Sequence, residues 1–292
     1  MRRAAILLAS LSLSWGLAVE LKAQPPRRFG ERIPRGSERA LEARLEIALG
    51  RVWIAPGSGQ EVFSGDVLLE HLSLQPRVQY RLVDGVGKLW VGLEDERGRE
   101  GIHLGLRDLL RPAKATWRLS LPRGLPTDLE LSLAAAQANL ELGGLAIKNL
   151  QIESGASALV LRFSEPNPME CDLVSLRLGV SDLKGHALGN ARARRYRVEV
   201  GMGSLELDLS GALPEEVELR IQAGMGSLTL QLPRDRRVEL RTSPHFLQRL
   251  HLPPGFVQQG SIWIHAPERA RGMLRLEIEA SLGAITLRWA EP

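Results

Sequence analysis

The 292-residue chain has one cysteine, Cys171, five lysines, two tyrosines and an aromatic content of only 4%. Each shortage excludes something. A lone cysteine forms no intramolecular disulfide, so stability must come from packing and Cys171 is expected to be an inert, half-buried residue. Beyond the N-terminus no stretch approaches the roughly 20 apolar residues of a membrane helix, so no transmembrane helix is expected in the mature chain. No HExxH or other close histidine pair occurs, and no GxSxG elbow. "GVGKLWVG" (85–92) lacks the spacing and the following helix of a phosphate loop. No metal, no cofactor and no catalytic residue is expected. Of the six histidines, only His245 and His251, with His265 approaching them, form a conceivable ligand set, and nothing in their spacing favours it.

The ends and the charge place the chain more definitely. "MRRAAILLASLSLSWGLAVELKAQPP" runs from Arg2 and Arg3 through an apolar stretch, Ala4 to Val19, to small residues. That is the order of a secretory signal peptide. Cleavage is expected near Ala23, with Ala18 as the alternative site, and the mature protein is expected to be extracytoplasmic, periplasmic or secreted. An uncleaved anchor helix is the plainer alternative, although the apolar stretch is short for a span. Losing Arg2, Arg3, Lys22 and Glu20 would lower the formal charge from +4 to +2. Arginine supplies 33 of the 38 basic residues, in short clusters such as "ARARRYR" (191–197) and "PRDRRVELR" (233–241). These read as solvated strand and turn positions that blunt exposed edges, and secretion argues against nucleic acid as a partner.

What the sequence has in quantity is alternation punctuated by glycine. Residues 24–40 are polar and rich in Pro, Gly and Arg, a flexible lead-in. From Leu41 onward strand signals dominate. GMGSL occurs twice, from Gly201 and from Gly224, each time between alternating apolar runs. Looser copies lie at 44–56, 78–93, 129–142, 150–163, 173–185 and 274–289. Aligned on the first apolar residue after the small-residue turn, they give Val52, Leu89, Leu140, Leu159, Leu183, Leu205, Leu228 and Ile285, with middle steps of 19, 24, 22 and 23 residues. A period of this size means stacked coils. Each copy has an apolar face that it cannot bury alone, and stacking equivalent strands about 4.8 Å apart gives a shared core. The glycines Gly201, Gly203, Gly224 and Gly226 are expected to be structural corners rather than a ligand loop. The fold expected is all-β, a solenoid of stacked ~19–24-residue repeats, with an antiparallel β-sandwich as the alternative. Residues 41–126 form an N-terminal module and 127–292 a regular solenoid with an insertion at about 233–272, continuous with the first. Short helical turns are expected within 101–112 and 243–255.

Strands of the form "VEVGMGSLELDLSG" and "LRIQAGMGSLTLQLP" (198–211 and 219–233) resemble the toast-rack or putative-adhesin class of bacterial domains. Close relatives form part of LiaF-type cell-envelope stress-response proteins. The resemblance covers roughly 41–292, is strongest over 127–233, and implies architecture with no catalytic residues to carry over. LiaF-type proteins carry several membrane helices before the domain, where this chain has a signal-like segment.

The function expected is a non-enzymatic binding or scaffolding module of the cell envelope. Its partner would be a protein or an envelope polymer. Outward-facing alternation accounts for the dispersed carboxylates. In the aligned repeats, Trp53 and Trp90 follow inward residues and so face outward at equivalent places, a possible sugar-stacking or partner-binding stripe unless an insertion such as 92–114 covers them. Trp117 and Trp289 are expected in the core. A carbohydrate-binding or carbohydrate-active solenoid is the first alternative. A scaffold that self-associates end to end through uncapped coils is the second.

Overall fold

A computed structural model of the chain describes residues 26–70, 74–94, 114–242 and 249–290. The signal-like segment with Ala18 and Ala23, the expected turn of helix at 101–112, and His71, His103 and His245 lie outside the described residues. Among the described residues sixteen strands make one continuous sheet: β1 (Arg27–Pro34), β2 (Ala40–Pro56), β3 (Glu61–Glu70), β4 (Gln75–Val83), β5 (Val86–Glu94), β6 (Lys114–Leu121), β7 (Thr127–Glu141), β8 (Ile147–Arg162), β9 (Leu173–His186), β10 (Arg195–Asp208), β11 (Glu216–Leu232), β12 (Arg237–Thr242), β13 (Arg249–His251), β14 (Val257–Gln259), β15 (Ile262–His265) and β16 (Met273–Trp289). The fold is a β-solenoid. Strands β7 to β11 and β16 pair in parallel, one coil on the next, which an antiparallel sandwich does not do.

The shape of a coil follows from its connections. β7 has 15 residues, roughly 50 Å if straight. Only 142–146 separate it from β8, a reach of about 20 Å, yet β8 starts beside the start of β7, where Thr127 N donates to Ala146 O. The strand must therefore double back. It does so where alternation slips by one: Leu129, Leu131 and Leu133 face inward, Ala134 and Ala135 both face out, and Ala136, Ala138 and Leu140 face in again. β8 slips at Gly155 and Ala156, and β9 at Gly179 and Val180. Each long strand is thus two arms joined at a corner, and the inward leucines of the arms meet in one core running the length of the stack.

The row through the second arms is Val52, Ala138, Leu159, Leu183, Leu205, Leu228 and Ile285. Two members expected in it are corrected. Leu140 stands two residues further along, beside Ile54. Leu89 pairs with Ala43 in the first arm instead, because Asp84 and Gly85, both at positive φ, make the tight turn of the β4–β5 hairpin rather than a corner. The small residues of a two-residue hairpin resemble a corner in sequence. The counterpart of Val52 in that coil is Trp117, fully buried, whose indole donates to Leu49 O at 3.3 Å. Residues 249–251, expected near a helical turn, are strand β13.

Both ends are threaded alike. β2 sits between β7 and a split coil whose first arm is β5 and second arm β6. At the other end β16 sits between β11 and a split coil made of β12 and β13. Antiparallel strands then finish the stack: β4 on β5, β3 and β1 on β6, β15 and β14 on β12. Residues 233–272 hold β12 to β15, and the ladders run without a break across 126/127.

Candidate functional site

The corners carry the tightest backbone contacts in the described part of the molecule. Gly203 and Gly226 adopt φ of 140° and 146°, values that L side chains avoid. A Cβ on Gly203 would stand 1.8 Å from Ser181 O, and one on Gly201 2.8 Å from Gly179 O. Gly224 is as closely packed, 2.2 Å from Gly201 O. The bare backbone at these positions lets one coil settle on the next.

The same corner forms a broad depression on the surface. A trough of about 1210 Å³ runs along the solenoid axis across the coils. Its floor is the small-residue row Ala134, Gly155, Gly179, Gly201, Gly224 and Ser281. One wall is a row of outward side chains from the first arms, one per coil: Glu46, Ser132, Glu153, Arg177, Glu199, Gln222 and Glu279. Four carboxylates face one guanidinium there. Arg177 is paired with Glu153, Arg44 with Glu46 at 2.7 Å, and Gln222 donates to Glu279 at 3.1 Å. No ion pair neutralises Glu199 or Glu279 among the described residues.

Beyond the floor the slipped residues make a ridge. Ala135, Ala156, Val180, Met202, Met225 and Leu282 succeed one another coil by coil. The last four are large and open to solvent, with relative exposures of 58%, 47%, 47% and 57%. Scattered surface apolar residues are ordinary, whereas a contiguous line of them marks an interaction surface. Between wall and floor lies Ser154, an inward serine in a row of Leu133, Leu178 and Val200, whose hydroxyl is buried with no partner.

The residues singled out from the sequence fall elsewhere. Trp53 projects from the outer face of a second arm, 37% exposed, with the Arg118 guanidinium 5.8 Å from its ring. Trp90 projects from a first arm, half-buried, level with Arg44, its indole lying over Gly92. The two tryptophans are on different faces and make no common stripe, since Trp53 registers with Arg118 and Asn139. The cause is the shifted register of Leu89. Trp90 instead borders a second groove of about 700 Å³, with Lys88 and Glu42 paired at 3.3 Å. Trp289 is half-buried at the C-terminal end, stacked on Phe256 with ring centroids 5.6 Å apart, while His265 lies 4.4 Å away.

The ring nitrogens of His265 lie 3.2 Å and 3.1 Å from the carbonyl oxygens of Gly255 and Arg234. Exposed His251 is on β13. Among the described residues no three His, Cys, Asp or Glu side chains gather as a metal site, and no helix is long and apolar enough to cross a membrane. Cys171 is fully buried rather than half-buried, and burial pushes its thiol up to about 12.

The trough and ridge had no sequence signal as a site, because their members are single residues from successive coils. The slip of alternation, once per repeat, is the trace they leave.

The family model described as the N-terminal domain of toast_rack, DUF2154, matches residues 23–186. No curated protein matches the chain. Among solved structures it is similar to a putative cell adhesion protein from Clostridium sporogenes ATCC 15579, with 17% identity, 91% of this chain and 100% of that one covered, and a TM-score of 0.48. A putative adhesin from Bacteroides fragilis NCTC 9343 has 12% identity, 90% and 97% coverage and a TM-score of 0.38. A putative lipid binding protein from Parabacteroides distasonis ATCC 8503 has 9% identity, 91% and 97% coverage and a TM-score of 0.28.

Proposed function

The chain belongs to the toast_rack family, and from that premise we propose that it is a non-enzymatic binding module of the bacterial cell envelope, acting outside the cytoplasm after removal of its signal-like N-terminus. The observation that carries this reading is the corner, where one rigid stack presents an acidic wall, a small-residue floor and an apolar ridge along several coils. A surface built from single residues on hydrogen-bonded coils is pre-organised, so little ordering entropy is lost when a partner docks. The wall side chains alternate between carboxylate, amide, hydroxyl and guanidinium without converging on a point, which suits recognition better than acid–base chemistry.

Photo-crosslinking tests it. A photoreactive residue at Met202 in cells making the full chain should yield a discrete adduct with an envelope component, and one at Thr229, on the outer face of the other arm, should not. Equal yields from both positions, or none from either, would sink the reading.

A carbohydrate-binding role is the weaker reading. Aromatic stacking needs platforms in line, and Trp53 and Trp90 lie on different arms. End-to-end self-association is weaker again. It requires an open rung, whereas antiparallel strands cover both arms at the β5–β6 end and the first arm at the β12 end, and edge strand β1 carries Arg27, Arg28, Glu31, Arg32 and Pro34, features that discourage pairing.

A further inference from the structure

Resting on the binding-module reading, we propose that the corner trough is the docking site for a cationic amphipathic α-helix of a partner protein, lying along the solenoid axis with its apolar stripe on Val180, Met202, Met225 and Leu282.

Geometry argues for a helix. Ridge and wall repeat once per coil, about 4.8 Å apart, and a helix repeats its face once per 5.4 Å turn. A stripe of residues at i, i+3/i+4 and i+7 therefore meets the ridge about once per coil. The mismatch of about 0.6 Å per turn is within the reach of flexible methionine side chains. Seven coils span roughly 29 Å, about 19 helical residues, and the exposed part from Val180 to Leu282 spans roughly 14 Å, about 10 residues. An added β-strand is disfavoured, since the amides and carbonyls of the coils are already engaged in the ladders between them.

Charge selects the kind of helix. The large ridge residues stand beside the two wall carboxylates without an ion pair among the described residues, Glu199 and Glu279, so the apolar stripe should be flanked by Lys or Arg. The same carboxylates disfavour an anionic lipid surface, which attracts basic rather than acidic protein faces. The ridge carries no aromatic platform for a sugar.

The test uses the full mature chain and a fluorescent 18-residue Leu/Lys peptide with leucines at i, i+3/i+4 and i+7, followed by fluorescence anisotropy. The peptide should bind, the Met202→Ser/Met225→Ser double variant should weaken binding at least tenfold, and Glu199→Gln/Glu279→Gln should weaken it several-fold and flatten its salt dependence. Thr229→Ser should leave it unchanged. All of these substitutions are at exposed or half-exposed positions, and unchanged thermal unfolding of each variant would show that the fold is intact. Equal binding of a peptide of the same composition with the leucines scattered would overturn the helix. Equal binding of a Leu/Glu peptide, or undiminished binding to the serine variant, would overturn the site. A concentration-dependent dimer lost in the serine variant would overturn the proposal in favour of a second copy of this chain, and binding of phosphatidylglycerol vesicles in place of the peptide would overturn it in favour of a lipid surface. A crosslink from Met202 in cells together with no peptide binding sinks the helix and leaves the envelope-binding reading standing. Peptide binding with no cellular crosslink does the reverse.

Discussion

Gly226 rests its Cα against the carbonyl oxygen of Gly203, one coil earlier, so closely that a Cβ would stand 1.7 Å from that oxygen. Its φ of 146° excludes other residues independently. Replacing it therefore combines backbone strain with a clash that no rotamer relieves. Gly226→Ala should destabilise the protein by about 3 kcal/mol or more. Gly124 is the control, at φ 66° and with nothing within 4 Å of the place a Cβ would take, and Gly124→Ala should cost only about 1 kcal/mol. Urea unfolding of the two variants measures the difference, and equal costs would refute the corner account.

Ser154 should behave oppositely. Its hydroxyl is desolvated in a row of apolar side chains and has no hydrogen-bond partner. Ser154→Ala removes an unmet polar group at little loss of packing and should stabilise the fold by about 1 kcal/mol. A drop in the unfolding midpoint would contradict this.

Asn167 ties three coils together. Fully buried, its amide nitrogen donates to Ile147 O at 2.7 Å and to Ala191 O at 3.1 Å, and its Oδ1 accepts from Met169 N at 3.2 Å. Asn167→Leu is close in volume but strands two carbonyls and an amide, and should cost about 2–4 kcal/mol. Denaturant unfolding of the variant checks it, and a cost under about 1 kcal/mol would show that the loop repairs itself.

Cys171 sets an alkaline limit. Burial raises its thiol to about 12 from an ordinary value of 9.0. Between these values the unfolded chain has released the proton and the native one retains it, so the native state binds more protons and stability falls as pH rises. Below about 9 the thiol is protonated in both states and has no effect. The slope attributable to this residue should approach about 1.4 kcal/mol per pH unit across that window and disappear in Cys171→Ala. Buried Tyr196, raised by the same desolvation, adds a further loss at higher pH. The native thiol should also resist alkylation at about pH 8 until the chain is unfolded. Rapid labelling of the native protein would show the site to be open.

The coil was legible because inward leucines recur: Leu159, Leu183, Leu205, Leu228 and Ile285 do share one row. The reading faltered where small residues stand in for large ones. Ala138 holds the place given to Leu140, and a hairpin turn at Asp84–Gly85 imitates a corner. The site was illegible for a different reason. Its wall and ridge take one residue from each coil, and no local pattern joins Val180 to Met202 or Leu282. Nor does anything local state that β16 lies between β11 and β12, because strands there are chosen by what remains unpaired in three dimensions.

That interleaving has a consequence for synthesis. β16, the last described strand, occupies the gap between β11 and the β12–β13 coil, so a chain emerging N-terminus first cannot close its ladder until residues 273–289 are delivered. Until then β11 and β12 offer open edges, the form most prone to pair with other chains. A chain lacking these residues would keep both edges open, so residues 273–289 are what seals β11 to β12.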